Sequence, residues 1–207
     1  VRDFNTIYCD VDTSGDEAME YALATNHIVI VSQNREEAIL KAASMGAKLA
    51  FLDDGFSKYH IPKLNILIKP IVEPNTQLCL PCGAYREPYS MYQKADIILS
   101  EANDFKRKVT LQNPTKRMIL ITSIAKPSRL DPYLPDLLEK IVFPDHYFFT
   151  KDEILALILK YQASSIVCTQ KDAVKLAQFG VNLSLLKLEI LLQRDIYSEI
   201  NQYLENF

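Results

Sequence analysis

The chain has 207 residues, of which 48% are hydrophobic and 24% charged, and its formal net charge is -3. This composition excludes an intrinsically disordered protein, and the small negative charge gives no electrostatic reason to expect a nucleic-acid partner. We find no apolar run of about 18 residues and no signal peptide, so the sequence predicts neither a membrane-spanning helix nor export. Contact with a membrane surface stays open.

Strands and helices are predicted to alternate along the first quarter of the chain. Strands are expected at 6–11, 27–31 and 47–52. Between them, Ser14 and Glu17 have the spacing of a capping box that opens a helix, and Asn34 caps a second helix with apolar residues at helical spacing. Strand, helix, strand, helix, strand is typical of a parallel sheet with right-handed crossovers.

The remainder continues the same pattern with two irregular stretches. Further strands are predicted at 64–69, 95–99, 117–122, 165–169 and 184–190, with helices at 128 onward, 151–161, 170–179 and 195 onward. Segment 70–88 is predicted to be a long loop and 101–116 an exposed excursion. The prediction is one α/β domain over 1–207, mainly a parallel sheet with flanking helices, and a small sub-lobe around 70–116 stays open.

Two adjacent carboxylates, Asp53 and Asp54, follow the apolar stretch 47–52 and precede Gly55. An apolar run of this length fits a strand buried on both faces. Ligands of open α/β sheets bind at the carboxyl ends of strands, where two acids would hold a divalent cation on a phosphate. A solvated Asp-Asp-Gly turn fits the same residues equally well, and both readings stay open at this point.

Three further polar pairs occur where loops are predicted: Asp16-Glu17, Arg86-Glu87 and Asp145-His146. Phosphoryl transfer needs carboxylates for Mg²⁺, a group that positions the attacking hydroxyl, and positive charge, and these pairs supply all three. The plainer alternatives are acids that favour a helix N-terminus and a surface histidine. None of the five glycines begins a GxxxxGK[ST] phosphate loop.

The four cysteines are too few for a disulfide scaffold in a chain of this length. Cys9 and Cys168 lie in apolar runs and are predicted to pack in the core. Cys79 and Cys82 have CxxC spacing, but zinc would require two further ligands from a second cluster, which the sequence lacks. Gly83 follows at once, so the pair is expected to lie in a loop.

Five short motifs occur in the order and approximate spacing of one known family. They are Gly15-Asp16-Glu17-Ala18, Asp53-Asp54-Gly55-Phe56, Tyr85-Arg86-Glu87-Pro88, Phe143-Pro144-Asp145-His146 and Lys171-Asp172-Ala173-Val174-Lys175. From about residue 12 to 190 the chain resembles the tetraacyldisaccharide 4'-kinases, or lipid A 4'-kinases, which are P-loop kinases. The resemblance implies transfer of the γ-phosphate of ATP, with Mg²⁺, to the 4'-hydroxyl of a tetraacylated glucosamine disaccharide 1-phosphate. It also implies a cytoplasmic protein held peripherally at the inner membrane of a Gram-negative bacterium.

The resemblance assigns a role to each matching position. Asp16 matches the family's base for the sugar hydroxyl, and His146 matches the histidine that supports this base. Asp53 and Asp54 match the acid pair that ends a Walker-B-like strand and manages Mg²⁺, and Glu87 matches an acid of the same metal and phosphate region.

Other positions match the family less closely or lie outside the chain. Glu17 and Arg86 are implied to be supporting residues, and Lys171-Asp172 is expected to cap a helix. The family's phosphate loop lies upstream of Asp16, so the chain is expected to be an N-terminally incomplete copy, inactive alone, with its nucleotide-binding residues unknown. The alternatives are a non-catalytic fragment or binding module that retains the sheet, and a metal-dependent hydrolase.

Overall fold

A computed structural model describes residues 1–101 and 103–206, and these residues divide into two compact units. Unit 1 comprises Val1–Ala50 and Val109–Leu188, and unit 2 comprises Phe51–Lys108 and Glu189–Phe207. Residues 70–108 of the predicted sub-lobe therefore fall in unit 2. The prediction of a single domain stays a prediction.

The strands form two sheets that are mostly parallel. They are β1 (Ile66–Ile68), β2 (Ile97–Leu99), β3 (Phe105–Gln112), β4 (Met118–Thr122), β5 (Glu139–Val142), β6 (Ser165–Thr169) and β7 (Leu183–Leu192). β1 and β2 pair in parallel, and the second sheet has the order β3-β7-β6-β4-β5. β4 pairs in parallel with both β5 and β6, and β6 pairs in parallel with β7. The prediction of a mainly parallel α/β fold is confirmed.

Most helices begin at a side-chain cap. The α-helices are α1 (Val11–Ser14), α2 (Asp16–Ala24), α3 (Arg35–Ser44), α4 (Lys151–Tyr161), α5 (Gln170–Leu176) and α6 (Tyr197–Leu204), and 3₁₀ helices lie at Tyr89–Lys94, Pro127–Tyr133 and Ala177–Phe179. Asn34, Thr150 and Thr169 accept hydrogen bonds from first-turn amides of α3, α4 and α5. Within residues 1–101 and 103–206, no helix has both the length and the apolar character that crossing a membrane requires.

The predicted capping box at Ser14 is wrong. Ser14 is instead the last residue of α1, whose cap is Asp10, and the Ser14 hydroxyl donates to the Asp10 carbonyl. Gly15 separates α1 from α2 with φ of +82°, a conformation that L side chains rarely adopt. Asp16 is consequently the first residue of α2.

The hydrophobic core of unit 1 lies along the two central strands of the larger sheet. Every residue of β4 is buried, as are the first four residues of β6. On one face, Ile119 and Ile166 pack with Ile154 of α4 and Leu176 of α5. A parallel strand covered on both faces carries a continuous apolar run, which is why these two strands were predictable.

Three predicted strands near the N-terminus do not form. In segments 6–11 and 27–31, Arg2 makes only isolated antiparallel bridges, one with Ile7 and one with Val29. Segment 47–52 is irregular, and Phe51 within it is 84% exposed. An apolar run becomes a strand only where a neighbouring strand completes its hydrogen-bond ladder, and the described part of the chain offers segment 47–52 no such neighbour.

The predicted exposed excursion at 101–116 contains β3, and this expectation is wrong. β3 is an edge strand, and its Lys106-Arg107-Lys108 run is exposed. Charged side chains on an edge strand hinder unwanted pairing with other chains, so a charge run is compatible with a strand at this position. β5 was also not predicted, because its residues Glu139 and Lys140 read as polar loop.

A fully buried carboxylate connects the C-terminal ends of β4 and β6 to α5. Asp172 accepts hydrogen bonds from the hydroxyls of Thr122, Ser123 and Thr169 at 2.7, 2.7 and 2.9 Å. It also accepts one from the Ser123 amide at 3.0 Å. The Asp172 amide donates to the Thr169 hydroxyl, so Thr169 is the N-cap of α5 and the predicted cap at Lys171-Asp172 is wrong. Because a buried charge is costly unless its lone pairs are used, this network fixes the start of α5 against the sheet.

The four cysteines are free thiols in different surroundings. Cys168 in β6 is fully buried, as predicted, and this burial raises its pKa to about 12. Cys9 is partly exposed and lies outside the strands, so its predicted core position is wrong. Cys79 and Cys82 flank a tight turn in unit 2, in which the Cys82 amide donates to the Cys79 carbonyl.

Truncation of a core leucine tests the assignment of the core. Leu120 in β4 is 2% exposed and Leu159 on α4 is 76% exposed. We expect Leu120→Ala to lower the free energy of unfolding by about 2–5 kcal/mol and Leu159→Ala to change it by less than about 0.5 kcal/mol. Urea denaturation followed by circular dichroism measures both, and similar losses in the two variants would contradict the assignment.

The thiols offer a second test. With a pKa of about 12, Cys168 holds almost no thiolate at pH 8, and its sulfur is inaccessible. We expect Ellman's reagent to modify the exposed Cys82 rapidly and to spare Cys168 until urea is added. Mass spectrometry of tryptic peptides identifies the modified thiols. Rapid labelling of Cys168 in the folded protein would refute its burial.

Candidate active site

Asp16 is presented by the junction between α1 and α2. It opens α2 directly after Gly15, and only 8% of its surface is exposed. The positive end of the helix dipole favours a carboxylate there, so the plainer interpretation of Asp16 as a first-turn acid is correct, but it does not explain the burial of the side chain. A first-turn acid on a surface helix is normally solvated, whereas this one is buried and therefore needs protein partners.

His146 is one such partner. It follows β5 in a loop, has φ of +58°, and its backbone amide donates to the Ser123 carbonyl. The ring atom Nδ1 lies 3.3 Å from Oδ2 of Asp16, while Nε2 lies 3.8 Å from a carboxylate oxygen of Asp145. Residues 130 positions apart, both singled out by the sequence, are thus brought together.

Two lysines of α5 also reach Asp16. The Nζ atoms of Lys171 and Lys175 lie 3.8 and 3.5 Å from Oδ2 of Asp16. Lys171 is also 3.2 Å from Oε1 of Glu17 and 3.4 Å from Nε2 of His146. The two ring nitrogens of His146 thus contact the Asp16 carboxylate on one side and the Lys171 ammonium on the other, with Asp145 somewhat further from Nε2.

From the sequence, Lys171 was expected to cap a helix, and Lys175 had no predicted role. The signal was present in their spacing, since residues four apart lie on the same face of a helix. The spacing does not predict which element this face of α5 packs against, because nothing in the sequence of α5 indicates a contact with the start of α2.

The acids of α2 create a negative field that the two lysines oppose. Burial, followed by the charge of Glu17, raises the pKa of Glu20 one turn along the helix, and Lys171 acts in the opposite direction. Glu17 shares Lys171 with Asp16, and its supporting role stays a prediction. The arrangement holds a carboxylate, an imidazole and two ammonium groups within contact distance, which is suited to orienting a hydroxyl and to binding an anion.

Asp53 and Asp54 lie in a turn of unit 2, so of the two earlier readings the turn describes the backbone. Asp54 has φ of +49°. Gly55 closes the turn so tightly that an added Cβ would lie 2.6 Å from Cβ of Leu52. A turn presents carboxylates as well as a strand end does, so this backbone leaves the predicted metal role as a prediction.

Arg86 and Glu87 each have a partner in the same unit. Nη1 of Arg86 lies 2.8 Å from Oδ2 of Asp54, with both side chains more than three-quarters exposed. The Tyr59 hydroxyl donates to Glu87, and this hydrogen bond raises the pKa of Tyr59 to about 12. Tyr59 had no predicted role. The structure places Arg86, predicted to be a supporting residue, in contact with Asp54, predicted to be a metal ligand.

The predicted Mg²⁺ site would have to be formed by few protein ligands. Across residues 1–101 and 103–206, no three His, Cys, Asp or Glu side chains are grouped as a metal site. Mg²⁺ on a nucleotide, however, is commonly held by one or two protein carboxylates together with phosphate oxygens and water. Asp53 and Asp54 are adjacent carboxylates and satisfy this requirement in number, so their metal role stays a prediction.

Comparison with known proteins finds similarity over nearly the whole chain. The family model described as tetraacyldisaccharide-1-P 4'-kinase (LpxK) matches residues 3–127 and 104–205. Proteins named tetraacyldisaccharide 4'-kinase are similar to it: that of Aliarcobacter butzleri is 47% identical over 97% of this chain and 67% of its own length. The Helicobacter pylori protein is 41% identical over 94% and 63%, and the Campylobacter jejuni protein is 40% identical over 100% and 67%. The chain thus spans about two thirds of the length of these relatives.

A solved structure supports the fold independently of close sequence similarity. It is described as the "apo" form of LpxK from Aquifex aeolicus in complex with ATP, and it matches with a TM-score of 0.72 at 22% identity. The match covers 98% of this chain and 72% of that one. With the family model and with relatives at 40–47% identity, this places the chain in the tetraacyldisaccharide 4'-kinase family.

Proposed function

We propose that the protein containing this chain transfers the γ-phosphate of ATP to the 4'-hydroxyl of a tetraacylated glucosamine disaccharide 1-phosphate, a step of lipid A synthesis. The observation that carries the proposal is the contact of 3.3 Å between Nδ1 of His146 and Oδ2 of the buried Asp16. Relatives named for this activity support it, as does the ATP named in the description of the related structure. Those names give no support to a non-catalytic module.

Asp16 is proposed to orient the acceptor hydroxyl and to receive its proton. As the 4'-oxygen forms its bond to the γ-phosphorus, the bond from that phosphorus to the ADP oxygen breaks and the hydroxyl proton passes to the Asp16 carboxylate. Phosphoryl transfer has a loose transition state in which positioning contributes more than strong basicity. A carboxylate held among a histidine and two lysines is suited to that task, because it is fixed in direction.

His146 and Lys171 are proposed to act around this carboxylate. His146 holds Oδ2 of Asp16 through its Nδ1, and Lys171 spans Asp16, Glu17 and His146. The ammonium group of Lys171 is of the kind that opposes charge on a transferring phosphate. Removal of His146 is therefore expected to weaken both the orientation of Asp16 and the electrostatics around it.

In unit 2, Asp53 and Asp54 are proposed to hold the Mg²⁺ of the nucleotide, with Glu87 in support. When bound, this ion neutralises charge on the phosphates. Arg86, whose Nη1 lies 2.8 Å from Oδ2 of Asp54, is proposed to offset the negative charge of Asp54 when no nucleotide is bound. The substrate's acyl chains would lie in a bilayer, so the working location proposed is the cytoplasmic surface of the inner membrane.

The role of Asp16 is tested by Asp16→Asn in the intact protein. We expect kcat to fall by about 10²- to 10⁴-fold, the range of general base catalysis, with the fold retained because the shape of the side chain is unchanged. Transfer of ³²P from [γ-³²P]ATP to the disaccharide measures the rate. Asp12→Asn, the same change at an exposed position of α1, should leave it unchanged. Near wild-type turnover in Asp16→Asn would remove the assignment.

The metal role is tested by Asp54→Asn. We expect the Mg²⁺ concentration that gives half-maximal rate to rise by about 10- to 100-fold, since a ligand of the nucleotide-bound ion is lost. Asp136→Asn, at an exposed aspartate of unit 1, is the matched control. An unchanged Mg²⁺ requirement in Asp54→Asn would exclude this residue from the metal site.

A further inference from the structure

Lys175 is a lysine that the protein has almost completely buried. Only 5% of its surface is exposed, and its Nζ donates to the Ser123 hydroxyl at 2.6 Å. The same atom lies 3.7 Å from Oδ1 of Asp172 and 3.5 Å from Oδ2 of Asp16. The ammonium group therefore stands between two carboxylates, one that belongs to the core and one proposed to act on the substrate.

Burial of an ammonium group requires compensation, and the two carboxylates supply it differently. Asp172 already accepts four hydrogen bonds, from three hydroxyls and one backbone amide. Its lone pairs are thus largely used, and it contacts Lys175 mainly through charge. Asp16 has no comparable set of hydroxyl donors among the described residues. Its Oδ1 accepts from the Glu17 amide at 3.0 Å, and its Oδ2 contacts Lys175, Lys171 and His146.

Lys175 also has little freedom to move. The Tyr147 carbonyl accepts from its Nζ at 3.3 Å, and the Phe149 ring centroid lies 5.1 Å from Nζ. Asp172, three residues earlier on the same helix, is fixed to the ends of β4 and β6. Lys171 differs in this respect, because its side chain is more exposed and is shared with Glu17 and His146.

We propose that Lys175 is a positioning residue of the kinase reaction, whose buried ammonium group holds Oδ2 of Asp16 and thereby directs the carboxylate toward the acceptor hydroxyl. This inference rests on the proposed function. It adds a role for a side chain that touches neither substrate nor nucleotide in the proposed mechanism. It also explains why a lysine is buried where a neutral apolar residue would avoid the cost of desolvation.

The test begins with Lys175→Met, which keeps the length of the side chain and removes its charge. In the intact protein we expect kcat to fall by about 100-fold, as for a displaced reacting group, while KM for ATP changes by less than about twofold. Lys175→Arg should recover part of the loss. Leu176→Ala, the next residue of α5 and fully buried, disturbs the same helix without contacting Asp16, and its kcat per folded molecule should be unchanged.

A double-mutant cycle separates positioning from general destabilisation. If Lys175 acts through Asp16, Lys175→Met should cost almost nothing further in an Asp16→Asn background. Losses that multiply in the double variant, or full activity in Lys175→Met, would overturn the inference while leaving the kinase function intact.

A structural readout does not depend on the substrate being correct. Crystal structures of the variants should show the Asp16 carboxylate turned from its present position in Lys175→Met and retained in Leu176→Ala. An unmoved carboxylate in Lys175→Met would overturn the inference even if the wild-type protein failed to phosphorylate the disaccharide. That failure would count against the proposed function alone.

Discussion

The buried carboxylate of Asp172 is the constraint on which the candidate active site of unit 1 depends. It ties the ends of β4 and β6 to the first turn of α5 through Thr122, Ser123 and Thr169. A charge with no access to water tolerates little displacement of its partners, because each lost hydrogen bond to a buried charged group costs roughly 1.5–3 kcal/mol. The rotation of α5 is thereby fixed, and with it the direction in which its lysines extend.

The orientation of α5 determines which of its side chains contact Asp16. Lys171 and Lys175, one turn apart, meet the start of α2 on the side where His146 arrives from the loop after β5. Oδ2 of Asp16 is thus contacted by three side chains from two distant parts of the chain, while Oδ1 accepts from the Glu17 amide. In phosphoryl transfer, orientation of the attacking hydroxyl contributes much of the rate enhancement. A carboxylate held in this way is already oriented before the substrate binds.

The sequence predicts those parts of the molecule that depend on a local pattern of residues or that carry a recognisable motif. β4 and β6 were predictable from continuous apolar runs, α4 from its apolar spacing, and the end of the helical segment that contains α5 from Gly180. Asp16 and His146 were identified by their motifs, and the structure brings them into contact.

The parts that escaped prediction depend on the surroundings. Segment 47–52 has the composition of a buried strand, yet it lacks a neighbouring strand among the described residues. The charged run at 106–108 reads as loop, yet an edge strand accommodates it. Lys175 reads as one more surface lysine, since its burial arises only when α5 packs against α2. Helix rotation and strand pairing are properties of the assembled fold and leave no trace in a short window of sequence.

The most direct test of the account is a crystal structure of the intact protein with the tetraacylated disaccharide bound. We predict that the acceptor 4'-oxygen lies within about 2.6–3.2 Å of a carboxylate oxygen of Asp16, the reach of a group that takes a proton from it. A 4'-hydroxyl held by another residue, with Asp16 contacting only His146, Lys171 and Lys175, would contradict it.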